Sequence, residues 1–135
     1  MFRRRLPRQL ERPFEAFRAL LGPLERARSV LTEAVPTTRL PGRSFAEVLS
    51  EFEVLLREIE PAMDGWRTPE LEEEWSACSR GLYEALSVAE RVRLGVIGPA
   101  GFEGLIGMIG DLLAPLDPFA TAAERFRDLR RSRAR

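Results

Sequence analysis

Apolar residues recur at 45, 48, 49, 52, 55, 56, 59 and 63, while Glu47, Glu51, Glu53, Arg57, Glu58 and Glu60 occupy positions between them. A stripe of this period predicts an α-helix with one face on a core and the other in water. Ser44 and Glu47 are spaced as a capping box and open it. After a turn at Asp64-Gly65-Trp66-Arg67, Thr68 and Pro69 supply an N-cap and a first-turn proline. The stripe Leu71, Trp75, Cys78, Leu82, Leu86, Ala89, Val92 and Val96 then marks a further helix. Two helices of about 20 residues, each roughly 30 Å long, joined by so short a turn predict an antiparallel hairpin.

On the N-terminal side, Phe14, Phe17, Leu21, Leu24, Ala27, Leu31 and Ala34 keep helical spacing from about Pro13 to Val35. Gly22-Pro23 falls inside that helix and predicts a kink or break near Leu20, since proline removes a backbone donor and crowds the preceding turn. Residues 36–43, with prolines at both ends of the run Pro36 to Pro41, read as a loop. Asp117-Pro118 opens a last helix with Phe119, Ala122, Phe126 and Leu129 on its narrow apolar face. The segment Leu112-Leu113-Ala114-Pro115-Leu116 just before it repeats the pattern of Leu20-Leu21-Gly22-Pro23-Leu24.

The expected architecture is all-α, an antiparallel bundle of four to five helices in a single domain. Residues 1–12 read as a basic N-terminal arm, 13–129 as the helical bundle domain and 130–135 as a basic C-terminal tail. The length of 135 residues suits one core rather than two.

One stretch departs from the amphipathic pattern. Glycine stands at every third position, 95, 98, 101, 104, 107 and 110, with apolar residues between. In an α-helix, steps of three drift by about 60° each, so these glycines form no single face. Each costs roughly 1 kcal/mol relative to alanine, and only packing can offset that. The reading is a turn around Gly98-Pro99-Ala100-Gly101 followed by a short helix from about Phe102 to Leu113, closely approached by a neighbour at Gly104 and Gly107. A transmembrane span over 94–116 is not expected, because Pro99, Glu103 and Asp111 interrupt it.

Composition removes most catalytic chemistry. The chain contains no His, no Lys and no Asn, and its 21 basic residues are all Arg. Imidazole acid–base catalysis, Schiff-base lysines, P-loop lysines and His-ligated metals therefore lack their residues. The cluster Glu70, Glu72, Glu73 and Glu74 reads as a charge preference of a helix start rather than a metal or catalytic site. The reading is a protein that is not an enzyme and uses no cofactor or metal. Cys78 sits in an apolar stripe and reads as a core residue. Trp66, in a turn, reads as either a cover on the bundle end or a contact for a partner. One cysteine and no apolar leader segment point to a reducing, cytoplasmic setting, and the Arg-, Ala- and Gly-rich usage points to a GC-rich bacterial genome.

The net charge of zero hides segregation. Residues 1–12 hold five Arg and one Glu, residues 125–135 hold six Arg and one Asp, and the middle carries ten Arg against nineteen acids. Binding to another protein, either a second copy in a homodimer or higher oligomer or a different chain, is the expected function. Its expected contact is Phe102, Gly104, Leu105, Gly107, Met108 and Ile109, because broken helix propensity marks sites of close approach. The competing reading is an adaptor that holds nucleic acid or an anionic membrane surface through Arg125, Arg127, Arg130, Arg131, Arg133 and Arg135.

Overall fold

The computed structural model describes residues 6–37, 45–95 and 101–133, and within them every side chain except 34–37, 101–103, 105 and 131–133. The fold is an all-α bundle. Its helices are α1 (Arg8–Thr37), α2 (Phe45–Ile59), α3 (Glu72–Arg93), α4 (Gly101–Leu113) and α5 (Pro118–Arg133). Three short 3-10 segments, Glu60–Trp66, Pro69–Leu71 and Ala114–Leu116, turn the chain between them, and no strand occurs among the described residues.

The stripes of α2 and α3 form the core as their spacing predicts. Val48, Leu49, Phe52, Leu55, Leu56, Ile59 and Met63 are buried on one side of the hairpin. Leu71, Cys78, Leu82, Leu86, Ala89 and Val92 are buried on the other, with Phe45 and Trp75 partly covered. Ser44 and Val96 lie outside the described residues. One position breaks the expected polar face of α2: Glu53 is only 6% exposed, and its Oε2 accepts a 2.8 Å hydrogen bond from Nε of Arg93. The helix turns Glu53 toward α3 rather than toward water, because Arg93 at the end of α3 supplies the countercharge.

Between α2 and α3 the chain does not make an open turn. Residues Glu60–Trp66 wind into a 3-10 helix that buries Met63 and Trp66. Trp66 is fully enclosed, edge-on to Phe17 with ring centroids 4.9 Å apart and 6.4 Å from Phe126. It is a centre of the core, so its indole has no surface for a partner. Phe17 also packs on Phe126 at 5.1 Å and Phe119 at 6.5 Å, and Phe14 reaches Phe126 at 5.2 Å. This cluster joins α1, the 3-10 segment and α5, and each ring buried contributes about 1.5–3 kcal/mol of transfer free energy. Thr68 makes no side-chain capping bond; a 3-10 turn at Pro69–Leu71 precedes α3 instead.

The break expected in α1 is absent. The helix passes without interruption through Pro13, Gly22-Pro23 and Pro36, and Leu20 rather than Leu21 faces inward. The carbonyl that Pro23 leaves without its usual donor belongs to Ala19, which is exposed and so open to water. Packing of Leu20, Leu24, Ala27 and Leu31 on one face then outweighs the roughly 3 kcal/mol a central proline costs. The folded body also begins earlier than Pro13, since Leu6 and Leu10 are buried, and α5 runs on to Arg133.

Gly95 ends α3. Its φ of +78° is the left-handed conformation that glycine adopts without penalty, and its N–H bonds the carbonyl of Val92 at 3.1 Å. The turn expected at Gly98-Pro99-Ala100 falls outside the described residues. α4 then returns antiparallel to α3, because Pro115 at its far end meets Gly81: a Cβ on Gly81 would collide with the Pro115 carbonyl.

Candidate functional site

α4 divides its residues between two environments. Met108, Ile109 and Leu112 are buried in the core, while Ile106, Gly107, Gly110 and Asp111 face outward. Of the six residues expected at a contact, Met108 and Ile109 hold the helix to its own bundle and present no free side chain. Gly104 is half-buried and Gly107 is exposed. The side chains of Phe102 and Leu105 lie outside those described. The close approach expected at Gly107 does not occur among the described residues: a Cβ at Gly107 or Gly110 would meet nothing within 4 Å of them. What Gly107 and Gly110 leave is open backbone on the outside of the bundle, with Ile106 beside it at 47% exposure.

Next to this face runs a groove of about 490 Å³ between α3 and α4, lined by Glu84, Val88, Arg91, Asp111, Ala114 and Pro115. Positions 84, 88 and 91 are spaced as one face of α3. The contact of Gly81 with Pro115 sets the level of the two helices: counting back four residues from Pro115 puts Asp111 at the Glu84 end. The groove is thus acidic at one end, through Glu84 and Asp111, and basic at the other, through Arg91. Among the described residues none of these three forms an ion pair. On the solvent side of the same row stand Tyr83, 75% exposed, and Leu94, 62% exposed. The sequence pattern did not single out these positions, since Glu84, Arg91 and Asp111 look like any solvated helix face. Their only signal was the three- and four-residue spacing around Val88.

Two arginines of α5 contact the body. Nε of Arg125 lies 3.6 Å from Oε1 of Glu74, and the Arg130 guanidinium lies 5.0 Å over the ring of Phe14. Arg127 is exposed. Arg131 and Arg133 belong to α5 but their side chains are not among those described, and Arg135 lies outside the described residues. Of the arginines of the expected anion contact, Arg125 and Arg130 are thus engaged with the Glu74 carboxylate and an aromatic face.

The acidic run at the start of α3 is similarly dispersed. Glu72 forms two hydrogen bonds with Arg67, at 2.8 and 3.2 Å, which hold its carboxyl below the usual range. Glu74 faces Arg125. Arg67 in turn stacks 4.0 Å from the ring of Trp75, whose Nε1 donates to the Met63 carbonyl at 2.8 Å. No group of three or more Cys, Asp or Glu among the described residues is placed to hold a metal ion. Cys78 is fully buried, and desolvation, with Glu74 adding a smaller effect, pushes its thiol up to about 12, far from a reactive thiolate. No helix among the described residues is long and apolar enough to cross a membrane. No protein-family model, curated protein or solved structure matches this chain.

Proposed function

We propose that this protein acts by binding another protein, and first a second copy of itself, through the outward side of α3 and α4. The observation that carries this reading is the exposed backbone of Gly107 and Gly110 beside a groove flanked by large apolar side chains. Five large apolar residues stand exposed among those described; Tyr83 and Leu94 of them stand on α3 on the solvent side of this groove, and Ile106 stands on the outer face of α4 beside Gly110. A helix with glycines at 107 and 110 forfeits about 1 kcal/mol at each with no close approach among the described residues to offset it. A neighbouring helix in an assembly would recover that cost through close packing. The absence of His and Lys from the chain supports a binding role over a catalytic one. The reading through nucleic acid or anionic membrane has less support, since Arg125 is paired with Glu74 and Arg130 lies over the ring of Phe14.

Light scattering coupled to size-exclusion chromatography tests the proposal on the wild type and on Gly107→Leu/Gly110→Leu. The wild type should elute as a dimer or larger species free of nucleic acid. The variant has room for both side chains in the monomer, so it should keep its helical content and thermal midpoint while losing the assembled species. A wild type that stays monomeric up to millimolar concentration overturns self-association.

A further inference from the structure

We propose that the second copy docks antiparallel across the α3–α4 groove, on a twofold axis beside Val88, so that Arg91 of each copy meets Glu84 and Asp111 of the other. This rests on the self-association proposed above and adds its orientation, register and contacts.

A twofold interface uses one patch twice, so that patch must complement itself after a half-turn. The groove has this property. Glu84 and Arg91 lie on one face of α3, about 10 Å apart along the axis, and their midpoint falls between Ser87 and Val88. Rotation about an axis there carries the acidic end of one copy onto the basic end of the other. Asp111, level with Glu84 on the opposite wall, travels with it and doubles the negative charge that Arg91 encounters. The row on the solvent side is centred one residue further along, between Val88 and Ala89, so the half-turn brings Tyr83 within about 3 Å of the level of the other copy's Leu94.

The alternative orientations are worse. A parallel pairing sets Arg91 against Arg91 and four carboxylates against one another, and like charges in apposition suppress an arrangement. A partner of different chemistry has no reason to match two rows whose midpoints fall within one residue of each other. The charged groups are also unspent, because Glu84, Arg91 and Asp111 form no ion pair within the chain's described residues. Between them, Val88, Ala114 and Pro115 provide an apolar floor. Gly107 and Gly110 leave the rim low enough for a helix to approach.

Charge exchange tests the pairing. Arg91→Glu and Glu84→Arg are surface changes, so circular dichroism should show the fold retained in both. Each single variant should weaken dimerisation by about tenfold or more in sedimentation equilibrium at low salt, because each creates like-charge contacts twice. The double variant Glu84→Arg/Arg91→Glu should recover dimerisation to within about tenfold of the wild type, the residue of the loss coming from Asp111. A folded double variant that stays as weak as the singles overturns the pairing. Singles that dimerise as tightly as the wild type overturn the register while self-association stands. A wild type monomeric at every concentration overturns both.

Discussion

At Gly81 one methyl group decides whether α3 and the Ala114–Leu116 turn can meet, since the Pro115 carbonyl occupies the space a Cβ needs. Gly81→Ala should therefore destabilise the protein by about 2–3 kcal/mol, as overpacking against rigid backbone does, read as a lower urea midpoint. Gly107→Ala should do the reverse. With open space around it in the single chain, the new methyl removes glycine's helix penalty, and at concentrations low enough to keep the protein monomeric it should raise the thermal midpoint by the equivalent of about 0.5–1 kcal/mol. This contrast marks a limit of reading glycines from sequence. The run of six at every third residue draws attention, yet its members serve unrelated ends: Gly95 for a positive φ, Gly107 and Gly110 for an uncovered surface. Gly81, where close approach is real, sits in an ordinary amphipathic stripe. Its neighbour arrives from a distant part of the chain, and periodicity carries no information about that.

Helices two and three were legible because their stripes are unambiguous, and the same patterns locate the start of α4 and α5 closely. The two Leu-Leu-x-Pro-Leu segments were not. Pro23 is carried through α1, whereas Pro115 sits in a 3-10 turn that redirects the chain. Tertiary packing separates them: Leu20 and Leu24 on either side of Pro23 are both buried from one unbroken helix, while Leu112 and Leu116 belong to separate elements that meet at Ala114. Pro23→Ala should restore a backbone hydrogen bond and raise stability by about 1–3 kcal/mol, measurable as an increased thermal midpoint. The Glu53–Arg93 pair was equally hidden, because a glutamate among glutamates gives no sign of burial. Arg93→Met leaves Glu53 buried without its countercharge, and chemical denaturation should show a loss of about 2–3 kcal/mol. That lies below the penalty for a wholly enclosed pair because Arg93 is 35% exposed. The double change Glu53→Met/Arg93→Met should regain most of it.

For the molecule as a whole, charge segregation leaves two arrangements open, basic ends free to meet an anion or basic ends folded back onto the acidic body's own carboxylates, and the described part of α5 takes the second. Arg125 on Glu74 and Arg130 over Phe14 draw the start of the basic run onto the bundle, and Phe126 between them is core. Truncation should be sharply dependent on position. Removing residues 131–135 should leave the far-ultraviolet spectrum and thermal midpoint nearly unchanged. Removing 125–135 takes Phe126 away and should cost at least the roughly 3–5 kcal/mol of a Phe→Ala change in a core, visible as loss of cooperative melting. The candidate surface was half legible: the sequence pointed to α4, but which of its residues face outward depends on the rotation of the helix, which only the packing of Met108, Ile109 and Leu112 sets.

The aromatic cluster of Phe14, Phe17, Trp66, Phe119 and Phe126 has a bearing on how the chain comes off the ribosome. The rings of α1 are made first and their partners in α5 come last of the five helices. The α2–α3 hairpin can close while synthesis continues, yet α1 must wait with Phe14 and Phe17 partly uncovered until α5 emerges. Translation at about 5–20 residues per second makes that wait several seconds long. Nascent chains stalled before Phe119 should therefore remain open to protease along α1, and those that have released Phe126 should be closed.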